Sequence, residues 1–279
     1  MAKIEVWRLE GTQILPVTLH QPVSSMDDAS QAIPGGAYTT FRTYQHAKTL
    51  PLHEHFHRLE ETASLARVPV QLDVTAIRRA LHEIVNNYPA DESRLRITVD
   101  LEQNPGRVYI SIEALKVPSA QEYQQGVRVI TRRLKRNNPK AKLTSFITTA
   151  ASIRRELPAG VNEALMIDEN DRVLEGLSSN FFAVQRGEIW TAGEGVLSGL
   201  TRAAVLEEIQ QEGLPLHEHA ITTADLFQLD EAFITSASRA VLPVVAIDHN
   251  TVDGGLPGMI TRRLMRRFQE RLNRSLEEI

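Results

Sequence analysis

The stretch Glu175-Gly176-Leu177-Ser178-Ser179-Asn180 lies downstream of a lysine, Lys142, and ahead of two further runs of small and polar residues. Those two runs are Leu197-Ser198-Gly199-Leu200-Thr201-Arg202 and Thr235-Ser236-Ala237-Ser238. In this order the chain offers an amine nucleophile, a carboxylate beside a polar turn, and two loops able to hold a phosphate. These are the groups required to bind pyridoxal phosphate as an imine.

The composition is that of an ordinary globular protein and excludes few functions. The 279 residues are 42% hydrophobic and 24% charged, which is enough to bury a sizeable core. A net charge of −4 argues against a nucleic-acid partner. The lack of cysteine excludes disulfides and thiolate nucleophiles, and no apolar run has the length of a membrane helix. We therefore expect a cytoplasmic protein without nucleic-acid or membrane partners.

The first half of the sequence predicts a small α+β domain over residues 1–116. Its predicted elements are strands over 37–44, 95–101 and 108–115, a helix over 54–66, and a second helix capped by Asp73. The last two strands form a hairpin around Asn104-Pro105-Gly106. The polar, proline-containing stretch that follows predicts an interdomain linker over 117–126.

The second half predicts a barrel-like β core over residues 127–279. Short strands follow one another closely with turns between them, a spacing typical of a barrel. The predicted strands cover 127–131, 164–168, 172–175, 181–184 and 189–191. A helix over Leu200–Gln211 stops before Gly213 and Pro215. The expected fold class is therefore α+β, with a small N-terminal α+β domain and a larger C-terminal pseudo-barrel domain.

Lys142 is the strongest candidate for a nucleophile. The other lysines have polar, loop-like or terminal neighbours and are typical of surface charges; they are Lys3, Lys48, Lys116, Lys135 and Lys140. Lys142 instead opens the small and apolar segment 143–151, which we expect to be buried. A buried lysine is less stable in its charged form, so its amine is more nucleophilic. A surface lysine that buries only its stem is the alternative for this residue taken alone.

The carboxylate and the two small-residue runs fit the other parts of such a cofactor. Glu175, at the end of a predicted strand, is placed to accept a hydrogen bond from a protonated ring nitrogen. The run before the Leu200–Gln211 helix offers backbone N–H groups and the positive end of the helix dipole to a phosphate. The run at Thr235 adds further donors, and Arg58 is a counter-charge able to grip two phosphate oxygens. A solvated glutamate and an ordinary helix cap are the alternatives.

Taken together, these motifs resemble the fold-type IV, or branched-chain-like, pyridoxal-phosphate aminotransferase family. The resemblance covers nearly all of the chain, from about residue 32 to residue 268. The matching stretches are Gly36-Ala37-Tyr38-Thr39-Thr40-Phe41-Arg42-Thr43-Tyr44, His55-Phe56-His57-Arg58-Leu59, Asn138-Pro139-Lys140-Ala141-Lys142, Glu175 to Phe182, Asp230-Glu231-Ala232-Phe233 and Leu242-Pro243-Val244.

This resemblance implies a role for each candidate site residue. Lys142 is implied as the catalytic residue and cofactor anchor, and Glu175 as the partner of the pyridine nitrogen. The other implied cofactor-binding residues are Arg58, Ser178, Leu197, Leu200, Thr201, Ser236 and Ala237. Ala237 lacks the threonine hydroxyl that relatives often have there. The candidate substrate residues are Tyr38, Thr39 and Arg96, and a structural salt bridge is the alternative for Arg96 and for Arg42.

The activity implied by the resemblance is a ping-pong transamination between a small-molecule amino donor and a 2-oxo acid acceptor. Lys142 holds pyridoxal phosphate, is displaced by the incoming amine and then moves a proton, while Glu175 keeps the pyridine nitrogen protonated. Members of the family are commonly homodimers, so we expect a homodimer here.

Two alternatives come from other features of the sequence. Tyr38-Thr39-Thr40 is similar to aminodeoxychorismate lyase, which eliminates pyruvate at the same kind of site, whereas the Phe41-Arg42-Thr43-Tyr44 that follows favours a transaminase. The alternating His53, His55 and His57 would face one metal ion only on a strand. Their apolar neighbours have helical spacing, which separates the imidazoles, and we predict no metal site.

Overall fold

The computed structural model describes residues 3–279, which form two compact units. The first unit comprises the residues up to Lys116 together with Ala141–Ala151 and Arg274–Ile279, and the second comprises Val117–Lys140 and Ser152–Asn273. Two segments that we assigned to a C-terminal domain over 127–279 thus lie in the first unit. Residues 117–126, predicted as a linker, contain a helix and lie in the second unit.

The chain up to Lys116 folds around an antiparallel sheet. Its elements are β1 (Glu5–Glu10), β2 (Gln13–Pro16), α1 (Met26–Gln31), β3 (Gly36–Arg42), β4 (Lys48–Thr49), α2 (His53–Leu65), α3 (Val74–Asn87), β5 (Ser93–Asp100) and β6 (Val108–Ala114). The sheet has the order β2-β1-β6-β5-β3. As predicted, Asp73 caps α3, where its side chain accepts a hydrogen bond from the Ala76 N–H at 2.9 Å.

Helices α2 and α3 cover this sheet because each carries apolar residues on one face. Their buried side chains include Phe56, Leu59, Ile77 and Leu81, which join the sheet residues Leu95, Ile97 and Ile110 in one core. Burial of each such side chain stabilises the fold by about 1.5–3 kcal/mol. The predicted strand over 37–44 is shorter, since β3 ends at Arg42 and the backbone turns through positive φ at Gln45 and His46.

The chain after Lys116 contains most of the remaining strands. Its elements are α4 (Ala120–Gln125), β7 (Val127–Arg133), α5 (Ser145–Arg155), β8 (Val161–Ile167), β9 (Val173–Gly176), β10 (Asn180–Gln185), β11 (Glu188–Trp190), α6 (Leu200–Gln211), β12 (Leu216–His217), β13 (Glu231–Ser236), β14 (Ala240–Ile247), β15 (Asn250–Thr251), α7 (Met259–Ser275) and β16 (Glu277–Glu278). Single 3₁₀ turns lie at Asp225–Gln228 and Asp253–Gly255. Strand β16 pairs with β4 of the first unit.

The second unit is built on a closed ring of strands. The strands run β10-β13-β14-β7-β8-β9, and β9 pairs back to β10 through Glu175 and Asn180. The interior is packed with the apolar side chains of Val129, Leu165, Phe181, Ile234 and Leu242. The predicted pseudo-barrel and the α+β fold class are therefore confirmed.

The segment that follows Lys142 differs from its prediction. We expected residues 143–151 to be buried because they are small and apolar, but most of them form the start of α5. This helix buries only Ile147 and Ala150 and exposes its other face. None of the helices in residues 3–279 has both the length and the apolarity needed to cross a bilayer.

Candidate active site

The main chain around Lys142 is fixed by strand β3 within the first unit. The Tyr38 N–H donates to the Lys142 carbonyl at 2.9 Å, and the Thr144 N–H donates to the Gly36 carbonyl at 2.9 Å. In return, the Gly36 N–H donates to Thr144 Oγ1 at 2.8 Å. These bonds form a bridge between Ala37 and Leu143, which holds the loop that contains Lys142 beside β3.

The side chain of Lys142 lies next to Tyr38. Its Nζ is 4.7 Å from the centre of the Tyr38 ring, within the range of a cation–π contact. Tyr38 is buried, whereas Lys142 is half-buried, so the amine is less enclosed than we expected. The structure therefore brings the predicted catalytic lysine together with one of the predicted substrate residues.

A buried polar triad lies on the neighbouring part of the first unit. Arg58 Nη2 donates to Thr39 Oγ1 at 2.5 Å, and Thr39 Oγ1 lies 2.6 Å from His55 Nδ1. Because a guanidinium has only hydrogens to offer, the Thr39 hydroxyl accepts from Arg58 and donates its own proton to His55. Nδ1 is then an acceptor, which leaves the proton of a neutral imidazole on Nε2.

The charge states of this triad follow from its burial. Desolvation holds the pKa of His55 well below its ordinary value of 6.5, and the positive charges of Arg58, Lys142 and His53 add to the effect. Desolvation also lowers the pKa of Arg58 to about 10, although the nearby Tyr38 and Glu61 oppose it. At neutral pH the triad therefore carries a single positive charge, on Arg58.

The predicted substrate residue Arg96 uses its hydrogen-bond donors in contacts with other residues of the protein. Its guanidinium forms an ion pair with Asp27 at 3.0 Å and donates to Ser30 Oγ at 2.6 Å. It also lies 5.0 Å from the centre of the Tyr38 ring. Arg42 pairs with Glu92 in the same way. These contacts are those of the structural salt bridges given as the alternative, and they make Arg96 a support for Tyr38.

Glu175 lies in the second unit, where its carboxylate is buried and held on both oxygens. Arg136 Nε is 3.2 Å from Oε1. Asn180 Nδ2 donates to Oε2 at 3.1 Å, and the Leu197 N–H donates to the same oxygen at 3.2 Å. Glu175 is 2% exposed and Arg136 is 6% exposed. A charged partner and two N–H donors stabilise the ionised form of the carboxyl group.

Sequence reasoning missed Arg136 and the role of Asn180. Arg136 follows the end of β7 in a polar loop, and neither its spacing nor its neighbours distinguish it from a surface arginine. Asn180 was part of the quoted motif without an assigned contact. Its place opposite Glu175 across the ring closure explains why the motif has an amide at that position.

The first loop predicted for phosphate packs on Asn180. A Cβ atom added to Gly199 would lie 2.1 Å from Asn180 Oδ1, so only glycine allows this approach. Gly199 is the N-cap of α6, and its two successors, Leu200 and Thr201, provide the first N–H groups of that helix. No side chain caps this end of α6 in the described structure. The N–H groups are available to an anion.

The second predicted loop is a three-residue connection between β13 and β14. Ser236 pairs with Ala240, and Ala237, Ser238 and Arg239 form the turn between them. Arg239 donates from Nε to Ser236 Oγ at 3.1 Å and from Nη2 to Ser178 Oγ at 2.7 Å. Arg239 therefore brings the predicted residues Ser178 and Ser236 together, a link that the sequence did not reveal.

The three alternating histidines lie on helix α2 rather than on a strand. His55 is buried against Thr39, while His53 and His57 are exposed on other faces of the helix. Across residues 3–279 there is no group of three or more histidine, aspartate or glutamate side chains that could hold a metal ion. The geometry required by the metal-binding alternative is not formed.

The sequence and the fold are both similar to those of known aminotransferases. The family described as amino-transferase class IV matches residues 36–247. A protein of Thermotoga maritima named "Probable branched-chain-amino-acid aminotransferase" is 27% identical over 245 residues, which are 86% of this chain and 87% of the relative. The D-alanine aminotransferase of Bacillus licheniformis is 26% identical over 256 residues, covering 88% and 90%.

A solved structure supports the same assignment of the fold. The branched-chain amino acid aminotransferase of Escherichia coli superposes with a TM-score of 0.74 at 20% identity, and the match covers 96% of this chain and 94% of its own. The family match spans most of the chain and includes Lys142, Glu175 and both predicted loops. The chain therefore belongs to the class IV aminotransferase family and is an enzyme of that family.

Proposed function

We propose that this enzyme uses pyridoxal 5′-phosphate to move an amino group between an amino acid, or an amine, and a 2-oxo acid in two half-reactions. The observation that carries the proposal is the carboxylate of Glu175, which is buried beside the Arg136 guanidinium and accepts hydrogen bonds from two N–H donors. A buried anion of this kind is the partner that a protonated pyridine nitrogen requires.

The chain offers donor groups of the kinds that bind the phosphate of this cofactor. Arg58 is a buried cation whose Nε has no hydrogen-bond partner within residues 3–279, and Thr235 Oγ1 is buried without one as well. The N–H groups of Leu200 and Thr201, the hydroxyl of Ser236 and the backbone of Ala237 are the further donors that we assign to the phosphate. Leu197, whose N–H already supports Glu175, is assigned to pack on the ring.

Different residues of the chain have different roles in the proposed reaction. Lys142 Nζ would hold the cofactor at its carbonyl carbon and, when free of it, would move a proton at the substrate carbon. Bound pyridoxal phosphate supplies the electron sink for that step. Glu175 would keep the proton on the ring nitrogen. Tyr38, beside Lys142, is our candidate for contact with the substrate, whereas the buried Thr39 hydroxyl is used by Arg58 and His55.

A half-reaction followed by absorbance tests this proposal. The purified holoprotein is mixed separately with L-amino acids, D-amino acids and simple or aromatic amines. We expect one class of donor to remove the visible band of the bound cofactor and to raise a near-ultraviolet band. Failure of every donor, with release of pyruvate from aminodeoxychorismate, would contradict the proposal and assign the protein to the lyase.

Lys142→Ala and a matched control separate the anchor from a surface charge. We expect Lys142→Ala to lose the visible band, whereas Lys140→Ala, which removes an exposed lysine two positions away, keeps it. A visible band that persists in Lys142→Ala would overturn the assignment of the anchor.

The same proposal includes a homodimer, on the basis of the resemblance to the family. Light scattering on the purified holoprotein is expected to give twice the mass of one chain, and a single-chain mass would contradict it. A cytoplasmic location stays a prediction from the composition.

A further inference from the structure

We propose that Arg239 is a positioning residue for the phosphate site: it joins the turn 176–179 to the β13–β14 loop and so presents the Ser236 hydroxyl as a donor to the phosphate. This inference rests on the proposed function, since it needs a phosphate-bearing cofactor. It adds a residue that none of the motifs in the sequence singled out.

Arg239 has five side-chain contacts that tie these two loops to the barrel. Nε donates to Ser236 Oγ, while Nη1 donates to Asn162 Oδ1 at 3.0 Å. Nη2 donates to Glu163 Oε2 at 2.8 Å and to both the hydroxyl and the carbonyl oxygen of Ser178. The Arg239 side chain is 15% exposed and its donors are used within the protein, so it acts by holding other groups.

Counting protons distinguishes the two serines. The Ser236 oxygen accepts from Arg239 Nε at 3.1 Å and from the Arg239 N–H at 3.3 Å, so both of its lone pairs are used and its proton points elsewhere. The Ser178 oxygen accepts from Arg239 but also donates to Glu163 Oε2 at 2.9 Å. Ser236 therefore has a proton to offer a phosphate, and Ser178 does not.

Glu163 is the buried acceptor that several donors of this network share. It lies on β8 and is 1% exposed. Besides Arg239, its Oε2 accepts from the N–H and the hydroxyl of Ser178 and from the hydroxyl of Ser179. Burial raises its pKa, but the charge and hydrogen bond of Arg239 outweigh this effect and the net shift is downward.

Two backbone features accompany these contacts. A Cβ atom on Gly176 would lie 2.8 Å from Glu163 Cγ and 2.2 Å from Ser179 Oγ, so the turn packs closely onto the network. Ala240, which follows Arg239, has a φ of 51°, a left-handed conformation that glycine normally provides. The hydrogen bonds from Arg239 to Ser236 hold the loop in this shape without a glycine.

The test compares cofactors with and without the phosphate. Dissociation constants of pyridoxal phosphate and pyridoxal are measured by absorbance on the full-length protein. The variants are Arg239→Met, Arg239→Lys, Ser236→Ala and the double variant that combines Arg239→Met with Ser236→Ala. We expect Arg239→Met and Ser236→Ala each to raise the dissociation constant of pyridoxal phosphate about tenfold, which is the effect of one hydrogen bond to a charged group. The dissociation constant of pyridoxal should stay within about twofold of the wild-type value.

Two comparisons make the role of Arg239 specific. The double variant is expected to bind pyridoxal phosphate no more weakly than either single variant, because both changes remove the same hydrogen-bond donor. Arg239→Lys keeps the charge but cannot bridge Ser236 and Ser178, so it should resemble Arg239→Met. Arg267→Met is the control, since Arg267 also pairs with a buried glutamate, Glu208, but on α6 and α7.

The outcomes separate this inference from the proposed function. No binding of pyridoxal phosphate by the wild-type protein would overturn the proposed function itself. Binding by the wild type with an unchanged preference for the phosphate in Arg239→Met, additive losses in the double variant, or a wild-type constant in Arg239→Lys would each overturn the role of Arg239 alone. If Arg239→Met does not fold, Ser236→Ala and Arg239→Lys decide the question.

Discussion

Asn180 Nδ2 donates one hydrogen bond to Glu175 Oε2, at 3.1 Å, and one to the Leu197 carbonyl oxygen, at 2.9 Å. One amide thus satisfies a carboxylate on β9 and orients the residue that begins the first predicted phosphate loop. Asparagine is required because both partners are acceptors, and its NH₂ group supplies two hydrogens.

Replacing this amide by a carboxylate is therefore expected to be costly. In Asn180→Asp, acceptors face acceptors at both contacts, and we expect the free energy of unfolding to fall by about 3 kcal/mol. Asn180→Ala removes the donors without adding a charge, and should cost about half as much. Urea unfolding of both variants measures the difference, and equal losses would mean that charge repulsion plays no part.

Arg136 is expected to be more important for stability than its position in a polar loop indicates. Arg136→Met leaves the buried Glu175 carboxylate without its charged partner, which should lower the free energy of unfolding by about 3–5 kcal/mol. Lys135→Met, at the adjacent position, breaks only an exposed pair with Glu169 and should change little. Similar unfolding midpoints for the two variants would contradict the pairing of Arg136 with Glu175.

The close approach at the start of α6 makes a prediction for Gly199. A methyl group there would lie 2.1 Å from Asn180 Oδ1, so Gly199→Ala must shift the loop or the amide. We expect a loss of about 1–3 kcal/mol in unfolding free energy and weaker binding of pyridoxal phosphate. Ser198→Ala, at an exposed neighbouring position, serves as the control and should remain within about 0.5 kcal/mol of the wild type.

The buried neutral His55 predicts a specific dependence of stability on pH. Its folded pKa lies well below its ordinary value of 6.5, so between these two values the unfolded state binds one proton more than the folded state. Unfolding free energy should then fall as the pH drops below 6.5, by up to about 1.4 kcal/mol per pH unit.

Two variants assign this pH dependence to His55. His55→Gln should remove the contribution, whereas His57→Gln, at an exposed position of the same helix, should retain it. Denaturant unfolding between pH 5 and 7.5 gives the slopes. A wild-type slope in His55→Gln would show that folding does not lower the pKa of His55.

The sequence predicted those parts of the fold that depend on local pattern. The helix over Leu200–Gln211 and the cap at Asp73 are confirmed, because stop signals and caps act within a few residues. The prediction that the segment after Lys142 is buried is wrong, since a run of small apolar residues does not distinguish a buried segment from a half-exposed helix such as α5.

In the candidate site, too, the sequence distinguishes some residues and not others. Lys142 and Glu175 stand out from their neighbours. The supporting arginines, Arg136 beside Glu175 and Arg239 beside Glu163, lie in loops, and their partners lie far away in the sequence. Only the structure shows which carboxylate each one meets. Glu163 did carry a usable signal, since it is a charged residue that opens the apolar run 164–167 of a central strand.

The ring of strands in the second unit is closed by one residue pair, Glu175 and Asn180. The turn 177–179 also joins these two strands, and within it the Gly176 N–H donates to the Ser179 carbonyl oxygen at 2.7 Å. We expect a junction with so few backbone pairs to fray before the longer ladders on either side of it. Glu175, whose carboxylate we assign to the cofactor, is therefore also one of the two residues whose pairing closes the barrel. A ligand bound to Glu175 should therefore slow amide hydrogen exchange selectively in β9 and at the start of β10, where the sheet closes.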